Sequence, residues 1–351
     1  MTTYHSTTTP ASLAARLRTA KRVAVLTHAK PDGDAMGSVL GLVRALRCCH
    51  VSATGFLVGP IDPNLLALAR AGEVDVVRDA TSIGEPDVIA IVDTGAWSQV
   101  EPLGDWLRAR ADRIVGIDHH ARGDDVAPMR LVDSTAASAT QVLLTVIDEL
   151  GASLTFGGDD SGRFSVAEAL FTGLATDTGW FRFSSAGEPV FHVAGRLLGA
   201  GVDKQGLLQQ LEENERPSRL VATGLALRSI QWLAGGRVAI MQLCPADLAA
   251  AGAQPEDLGG IVNVPMSVGS VVMSVLLTEA EPGLTKISFR SKPRQCGAPW
   301  FDVNKLAAQF GGGGHVQAAG ARIAGPIAVA AMQVQACVES AAAALGVGAD
   351  A

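Results

Sequence analysis

Six residues in the first half of the chain have the types and positions to hold metal ions: His28, Asp32, Asp34, Asp93, His119 and Asp177. The segment His28-Ala-Lys-Pro-Asp32-Gly-Asp34 sets one imidazole and two carboxylates around Pro31 and Gly33, both turn-forming residues. Asp32 and Asp34 flank a glycine, so both carboxylates can face one point without steric conflict. Taken alone, Asp-Gly-Asp is equally a turn with a helix N-cap, and Asp93 in Val92-Asp93-Thr94 is equally a strand-ending cap. Asp118-His119-His120 is harder to read that way. Two adjacent imidazoles directly after an apolar run are unfavourable without a ligand or a charged partner. Asp177 follows the helical pattern of 166–174, where a carboxylate at the C-terminal end opposes the helix dipole unless a cation is present. If the sites converge, their carboxylates repel strongly until cations neutralise them. Oxygen and imidazole ligands without cysteine favour Mn²⁺ or Mg²⁺ over a structural zinc. Two such ions sharing a carboxylate, about 3.5–4 Å apart, suit phosphoryl displacement.

Convergence requires elements that deliver these residues to one edge. The first half alternates apolar runs (23–28, 51–58, 88–93, 113–118) with helical patterns (34–46, 137–150, 166–176). That alternation predicts an α/β unit, a mainly parallel sheet flanked by helices on both faces. In such sheets ligands bind at the carboxyl ends of the strands. Three runs here end in a candidate ligand or its neighbour, at His28, Asp93 and Asp118-His119. Composition shifts near LEENERPSR (211–219), so the expected division is a first domain over 1–212, a linker over 213–226 and a second over 227–351. The second reads as a smaller α/β unit, with strands at 237–243, 270–279 and 286–291. A helix is expected at 302–310, capped by Asp302, and a final helix at 327–345.

At 351 residues, 48% of them hydrophobic and 18% charged, the chain is long enough for two globular domains. A net charge of −7 with no long basic run argues against a grip on long duplex nucleic acid. Five cysteines without a C-x-x-C pair fit a reducing cytosol. The polar N-terminus and the lack of a run near ~20 apolar residues predict a cytoplasmic protein with no membrane partner.

In the second half, Gly-Gly-Ile-Val-Asn263, Arg290-Ser291 and Phe-Gly-Gly-Gly-Gly-His315 followed by Ala-Ala-Gly320 complete the pattern. Four glycines, Gly313 and Gly314 among them, can form a backbone concavity for an anion, and Arg290 offers a planar fork for phosphate. Together with His28-x-x-x-Asp32-x-Asp34, Asp93, Asp118-His119-His120 and Asp177, this order resembles the DHH phosphoesterase superfamily with a DHHA1 C-terminal domain. Within it the chain is most similar to stand-alone oligoribonucleases (nano-RNases) that also act on phosphoadenosine phosphate. The resemblance implies a DHH domain and a DHHA1 domain with the active site in the cleft between them. It implies that His28 and Asp32 hold one Mn²⁺, that Asp34, His119 and Asp177 hold the other, and that Asp93 bridges them. A metal-bound hydroxide would attack the phosphate, with His120 and Asp118 assisting. Arg290, Ser291, Gly313, Gly314, His315 and Asn263 would bind the substrate. That substrate would be short RNA of two to five nucleotides, a dinucleotide such as pApA, or phosphoadenosine phosphate, and the chain could form a homodimer.

Two departures bear on substrate choice. Gly259 stands where relatives often carry an acid, and the Lys292–Trp300 stretch is longer than the usual link. A cyclic di-AMP phosphodiesterase is the nearest alternative, although such enzymes carry membrane and sensor segments not seen in this sequence. A processive single-strand exonuclease would need more basic charge, and the glycine-rich second domain disfavours a pyrophosphatase. A non-catalytic nucleotide sensor is the alternative of another class; against it, every ligand position is filled.

Overall fold

The computed structural model describes residues 4–294 and 300–347. The chain divides into two compact units after Asn214.

The first unit is built on a six-stranded parallel sheet: β1 (Arg22–Leu26), β2 (Ser52–Val58), β3 (Val74–Val77), β4 (Val88–Val92), β5 (Ile114–Asp118) and β6 (Met129–Val132), in the order β3-β2-β1-β4-β5-β6. β4 and β5 are buried at every residue, as continuous apolar runs in a sheet covered on both faces should be. One face carries the helices Pro10–Arg18, Gly33–Cys48, Ala139–Leu150 and Val166–Asp177, whose apolar residues join Val23, Val25, Val88 and Ala90 in one core. The other packs Leu26, Ile89 and Ile91 under Val100, Leu103 and Leu107. The expected α/β architecture is therefore present. β3 and β6, four residues each, were not anticipated; runs this short carry too little pattern to separate from loop.

Strand order reverses between β1 and β4, whose neighbours β2 and β5 lie on opposite sides. Such a switch point leaves a crevice at the carboxyl ends of the strands. Register aligns those ends, with Leu26 beside Ile91 and Val92 beside Ile117. His28 stands two residues beyond Leu26, Asp93 directly after Val92, and Asp118-His119 directly after Ile117.

The second unit has a mixed sheet of β7 (Gln231–Leu233), β8 (Val238–Leu243), β9 (Met273–Glu281), β10 (Leu284–Ser291), β11 (Gly313–Gly314) and β12 (Ala318–Ala324), in the order β11-β12-β10-β9-β8-β7. The Ile327–Ala344 helix covers one face through Ile327, Ala330, Val334 and Val338. By length and composition it could cross a bilayer, contrary to the expectation that no segment would. In the structure its apolar face packs on the second sheet. The stretch 213–226, expected as a linker, is largely helix: Pro217 occupies the first turn of the Pro217–Arg228 helix, where proline is favoured, and Ala222 and Ala226 are buried.

Candidate metal centre

Each candidate ligand is held by the end of a regular element. Asp32 N-caps the Gly33–Cys48 helix, its Oδ1 accepting from the N–H groups of Asp34 and Ala35, both at 3.1 Å. Asp34 points from the first turn into the start of the Ala139–Leu150 helix, where Ala139 and Thr140 donate N–H groups at 2.5 and 3.0 Å. Asp177 is the last residue of the Val166–Asp177 helix. Asp93, one residue past β4, has φ +59°, a left-handed conformation uncommon for a residue with a side chain.

The six side chains meet in two sets that share one carboxylate. His28 Nε2 lies 3.8 Å from Asp32 Oδ1 and 3.5 Å from Asp93 Oδ2. His119 Nε2 lies 3.5 Å from Asp93 Oδ1, 3.7 Å from Asp34 Oδ2 and 3.6 Å from Asp177 Oδ2. Within each of His28/Asp32/Asp93 and Asp34/His119/Asp177, the ligand atoms lie within 4.8 Å of one another. Asp93, His119 and His120 form a third such group. Asp93 Oδ1 is buried without a hydrogen-bond partner. Nδ1 of His28 faces the Ala29 carbonyl at 3.1 Å, and Nδ1 of His119 faces that of Ala136 at 3.3 Å. A carbonyl only accepts, so each Nδ1 carries the proton and each Nε2 is turned to the carboxylates.

The charges show the strain of this gathering. Burial pushes Asp34 well above the usual carboxylate range, aided by the charges of Asp93 and Asp177. Burial also lifts Asp177 to about 6, partly offset by His119. Burial opposes the charged form of both imidazoles. Even so, carboxylate contacts raise His28 to about 10 (chiefly Asp32, then Asp93) and His119 to about 9 (chiefly Asp93, then Asp34). In a metal-free site the imidazole protons neutralise the carboxylates, a role that bound cations would take over.

Asp118 and His120 form a separate pair. Asp118 Oδ1 accepts from His120 Nδ1 at 2.7 Å and from the N–H groups of His119 and His120 at 2.8 and 3.2 Å. Bonding to Asp118 raises His120 above the ordinary histidine range.

Glycines at the helix contacts set the spacing and were not singled out from sequence. A Cβ on Gly37 would lie 2.4 Å from the Ala169 carbonyl oxygen, and one on Gly173 would lie 2.4 Å from Asp34 Oδ1. Tyr4, also not anticipated, donates its hydroxyl to Asp118 Oδ2 at 2.7 Å. Nothing local in the sequence marks these residues, because their partners lie far along the chain.

In the second unit the expected substrate residues separate. Arg290 is half-buried; one guanidinium nitrogen donates to the Phe289 carbonyl at 2.9 Å, and burial lowers its pKa. Ser291 does not join it. Successive residues of a strand face opposite ways, and the buried Ser291 Oγ accepts from the Phe301 N–H at 3.1 Å. Several amides of the glycine run are engaged within the fold, while Gly314, opposite Ala319 in a non-hydrogen-bonded position, keeps its N–H directed off the ladder. Gly311 and Gly312 donate to Ala308 and Ala307, Gly313-Gly314 pair as β11 with β12, and His315 N–H donates to Ala318 at 2.8 Å. Their lack of side chains serves close strand contact, since a Cβ on Gly312 would lie 2.2 Å from the Gly320 carbonyl oxygen. His315 is exposed in the turn that follows, and Asn263 is exposed on the 3₁₀ helix Ile261–Ser267. In the Lys292–Trp300 stretch, residues 295–299, Cys296 and Pro299 among them, lie outside the described residues.

Known proteins agree with this layout. The model of the DHH family, N-terminal domain, matches residues 22–174, and that of the DHHA1 domain matches residues 235–344. A bifunctional oligoribonuclease and PAP phosphatase, NrnA, of Thermus thermophilus is 31% identical over 303 residues, covering 86% of this chain and 84% of that protein. The protein of the same name from Bacillus subtilis is 25% identical over 299 residues, covering 84% and 87%. The crystal structure of an exopolyphosphatase-related protein from Bacteroides fragilis shares the fold, with a TM-score of 0.84 at 24% identity over 96% of this chain and 97% of that one. The chain thus belongs to the DHH family, carries its DHHA1 domain, and is a hydrolase of the phosphoesterase class.

Proposed function

We propose that the chain is a two-metal phosphoesterase that hydrolyses short oligoribonucleotides to mononucleotides and also accepts phosphoadenosine phosphate and pApA. The observation that carries the reading is Asp93. Its Oδ1 is buried and unpartnered, and its two oxygens face separate imidazoles, each at 3.5 Å. A carboxylate so placed, held between two imidazoles when no metal is bound, is suited to a ligand shared by two cations. His28 and Asp32 would complete one ion's protein ligands, and Asp34, His119 and Asp177 the other's, with Mn²⁺ or Mg²⁺ fitting the donor set. When bound, such ions neutralise developing charge on a phosphate and acidify water.

The chain's own groups supply the remainder. Backbone carbonyls hold His28 and His119 with Nε2 turned to the ligand sets, and Asp118 holds His120 by Nδ1–H and favours the protonated ring, whose Nε2–H can then donate to a phosphate oxygen. Arg290, His315, Asn263 and the Gly313-Gly314 backbone would bind the substrate's terminal phosphate or nucleotide. The half-buried guanidinium keeps most of its donors for an anion.

The test is incubation of the purified protein with Mn²⁺ and, separately, pApA, a five-nucleotide RNA, phosphoadenosine phosphate and cyclic di-AMP. Cleavage of the first three supports the reading. Preferred cleavage of cyclic di-AMP would replace the substrate assignment, and tight binding without hydrolysis of any would make the chain a sensor.

A further inference from the structure

Tyr4 is the single tyrosine of the chain, and the chemistry proposed above gives it no role. Residues 4–7 run along the outer edge of β6. Thr7 N–H donates to the Arg130 carbonyl at 2.8 Å, and Arg130 N–H donates back to Thr7 Oγ1 at 2.9 Å. Ser6 Oγ donates to the Val132 carbonyl and accepts from the Val132 N–H, both at 2.8 Å. An open strand edge is thereby covered, and the segment ends with the Tyr4 ring under the Arg130 guanidinium, 5.6 Å from the ring centre. The ring occupies space that two glycines leave empty. A Cβ on Gly95 would lie 1.9 Å from the Tyr4 hydroxyl, and one on Gly123 would lie 2.6 Å from ring carbons.

The hydroxyl lands on the carboxylate that holds His120. Asp118 Oδ1 takes three donors, all from His119 and His120, while Oδ2 takes the Tyr4 hydroxyl at 2.7 Å. A carboxylate bonded on one oxygen can still swing about its last torsion, which is broad. Bonding on both fixes its plane, and with it the orientation of the imidazole. We propose that Tyr4 is a positioning residue, fixing Asp118 so that His120 is presented to the reaction centre in one tautomer and one orientation. The assignment rests on the proposed role of His120.

Tyr4→Phe keeps the ring and removes one oxygen, while Gly123→Ala displaces the ring without altering Asp118. Both variants are measured with Mn²⁺ and pApA for kcat and KM. The histidine ring nitrogens are followed by ¹⁵N NMR in metal-free protein. In the parent, His120 should show a proton fixed on Nδ1. In both variants that signal should shift, kcat should fall about tenfold and KM should stay within about twofold. If Tyr4 only fills space, Tyr4→Phe will match the parent in kcat and in the His120 signals, and the proposal is overturned. If Gly123→Ala does not fold, Tyr4→Phe carries the test. Should the parent cleave no phosphoester, the functional reading fails and the His120 spectra alone decide whether Tyr4 positions it.

Discussion

Replacing Gly173 with Ala isolates the geometric demand that the helix contacts place on the metal centre. Gly173 sits in the Val166–Asp177 helix, and an added Cβ would lie 2.4 Å from both Asp34 Oδ1 and Thr140 Cγ2. Ordinary contact begins at 3.4 Å, so either the carboxylate or a helix must yield by about 1 Å. Yielding breaks the charge-assisted bonds from Ala139 and Thr140, each worth roughly 1.5–3 kcal/mol. Glycine to alanine in a helix by itself stabilises by ~1 kcal/mol. The net expectation is a loss of at least about 2 kcal/mol, the size expected of an overpacked core, or a Tm lower by at least about 5 °C for a unit of this size. A misplacement of about 1 Å should lower turnover about 100-fold. The control is Gly195→Ala on the exposed face of the Glu188–Gly199 helix, where an added Cβ meets nothing within 4 Å. That variant should be more stable by up to ~1 kcal/mol, with unchanged turnover. Urea unfolding and Mn²⁺ calorimetry on both variants decide the matter. A Gly173→Ala protein as stable as the parent, with the parent's Mn²⁺ affinity, would refute the reasoning.

Asp93→Ala should reduce pApA turnover to background and weaken Mn²⁺ at both sites in a calorimetric titration; loss of one site alone would show that Asp93 is not shared. Mn²⁺ affinity should tighten as pH rises toward 9, because His119 at about 9 and His28 at about 10 must release protons to bind, up to about tenfold per pH unit for each proton displaced. A pH-independent Kd between about 6 and 8 contradicts this. Metal-free protein should lose stability as pH rises through about 6. Asp177 is raised above its unfolded value, so its contribution is full below the unfolded pKa and lost through the folded one; chemical unfolding at several pH values reads the slope. Arg290→Ala should raise KM for pApA about tenfold with kcat within about twofold, as expected for an anion-binding contact; the reverse split would place Arg290 at the reacting centre.

What the sequence determined by itself was local: strand ends carrying His28, Asp93 and Asp118-His119, the helix N-cap at Asp32, and a carboxylate at the end of the Val166–Asp177 helix. These follow from hydrophobic periodicity and from the preferences of element termini, which act over a few residues. The parallel sheet was legible for the same reason, and the rule that ligands gather at carboxyl strand ends turned separate motifs into one site. Tertiary structure decided what depends on distant partners. It set Asp34 against the amides of Ala139 and Thr140, fitted Gly37 and Gly173 to a close helix contact, and brought Tyr4 onto Asp118, 114 residues away. It also turned Ser291 from Arg290, because adjacent strand residues face opposite ways and only the packed sheet fixes which face is buried. It likewise set the glycine run against β12 as a close strand contact, a use of the missing side chains that the run of four glycines alone does not reveal. Local pattern chooses the element; which face and which neighbour each side chain meets is fixed only when the elements pack.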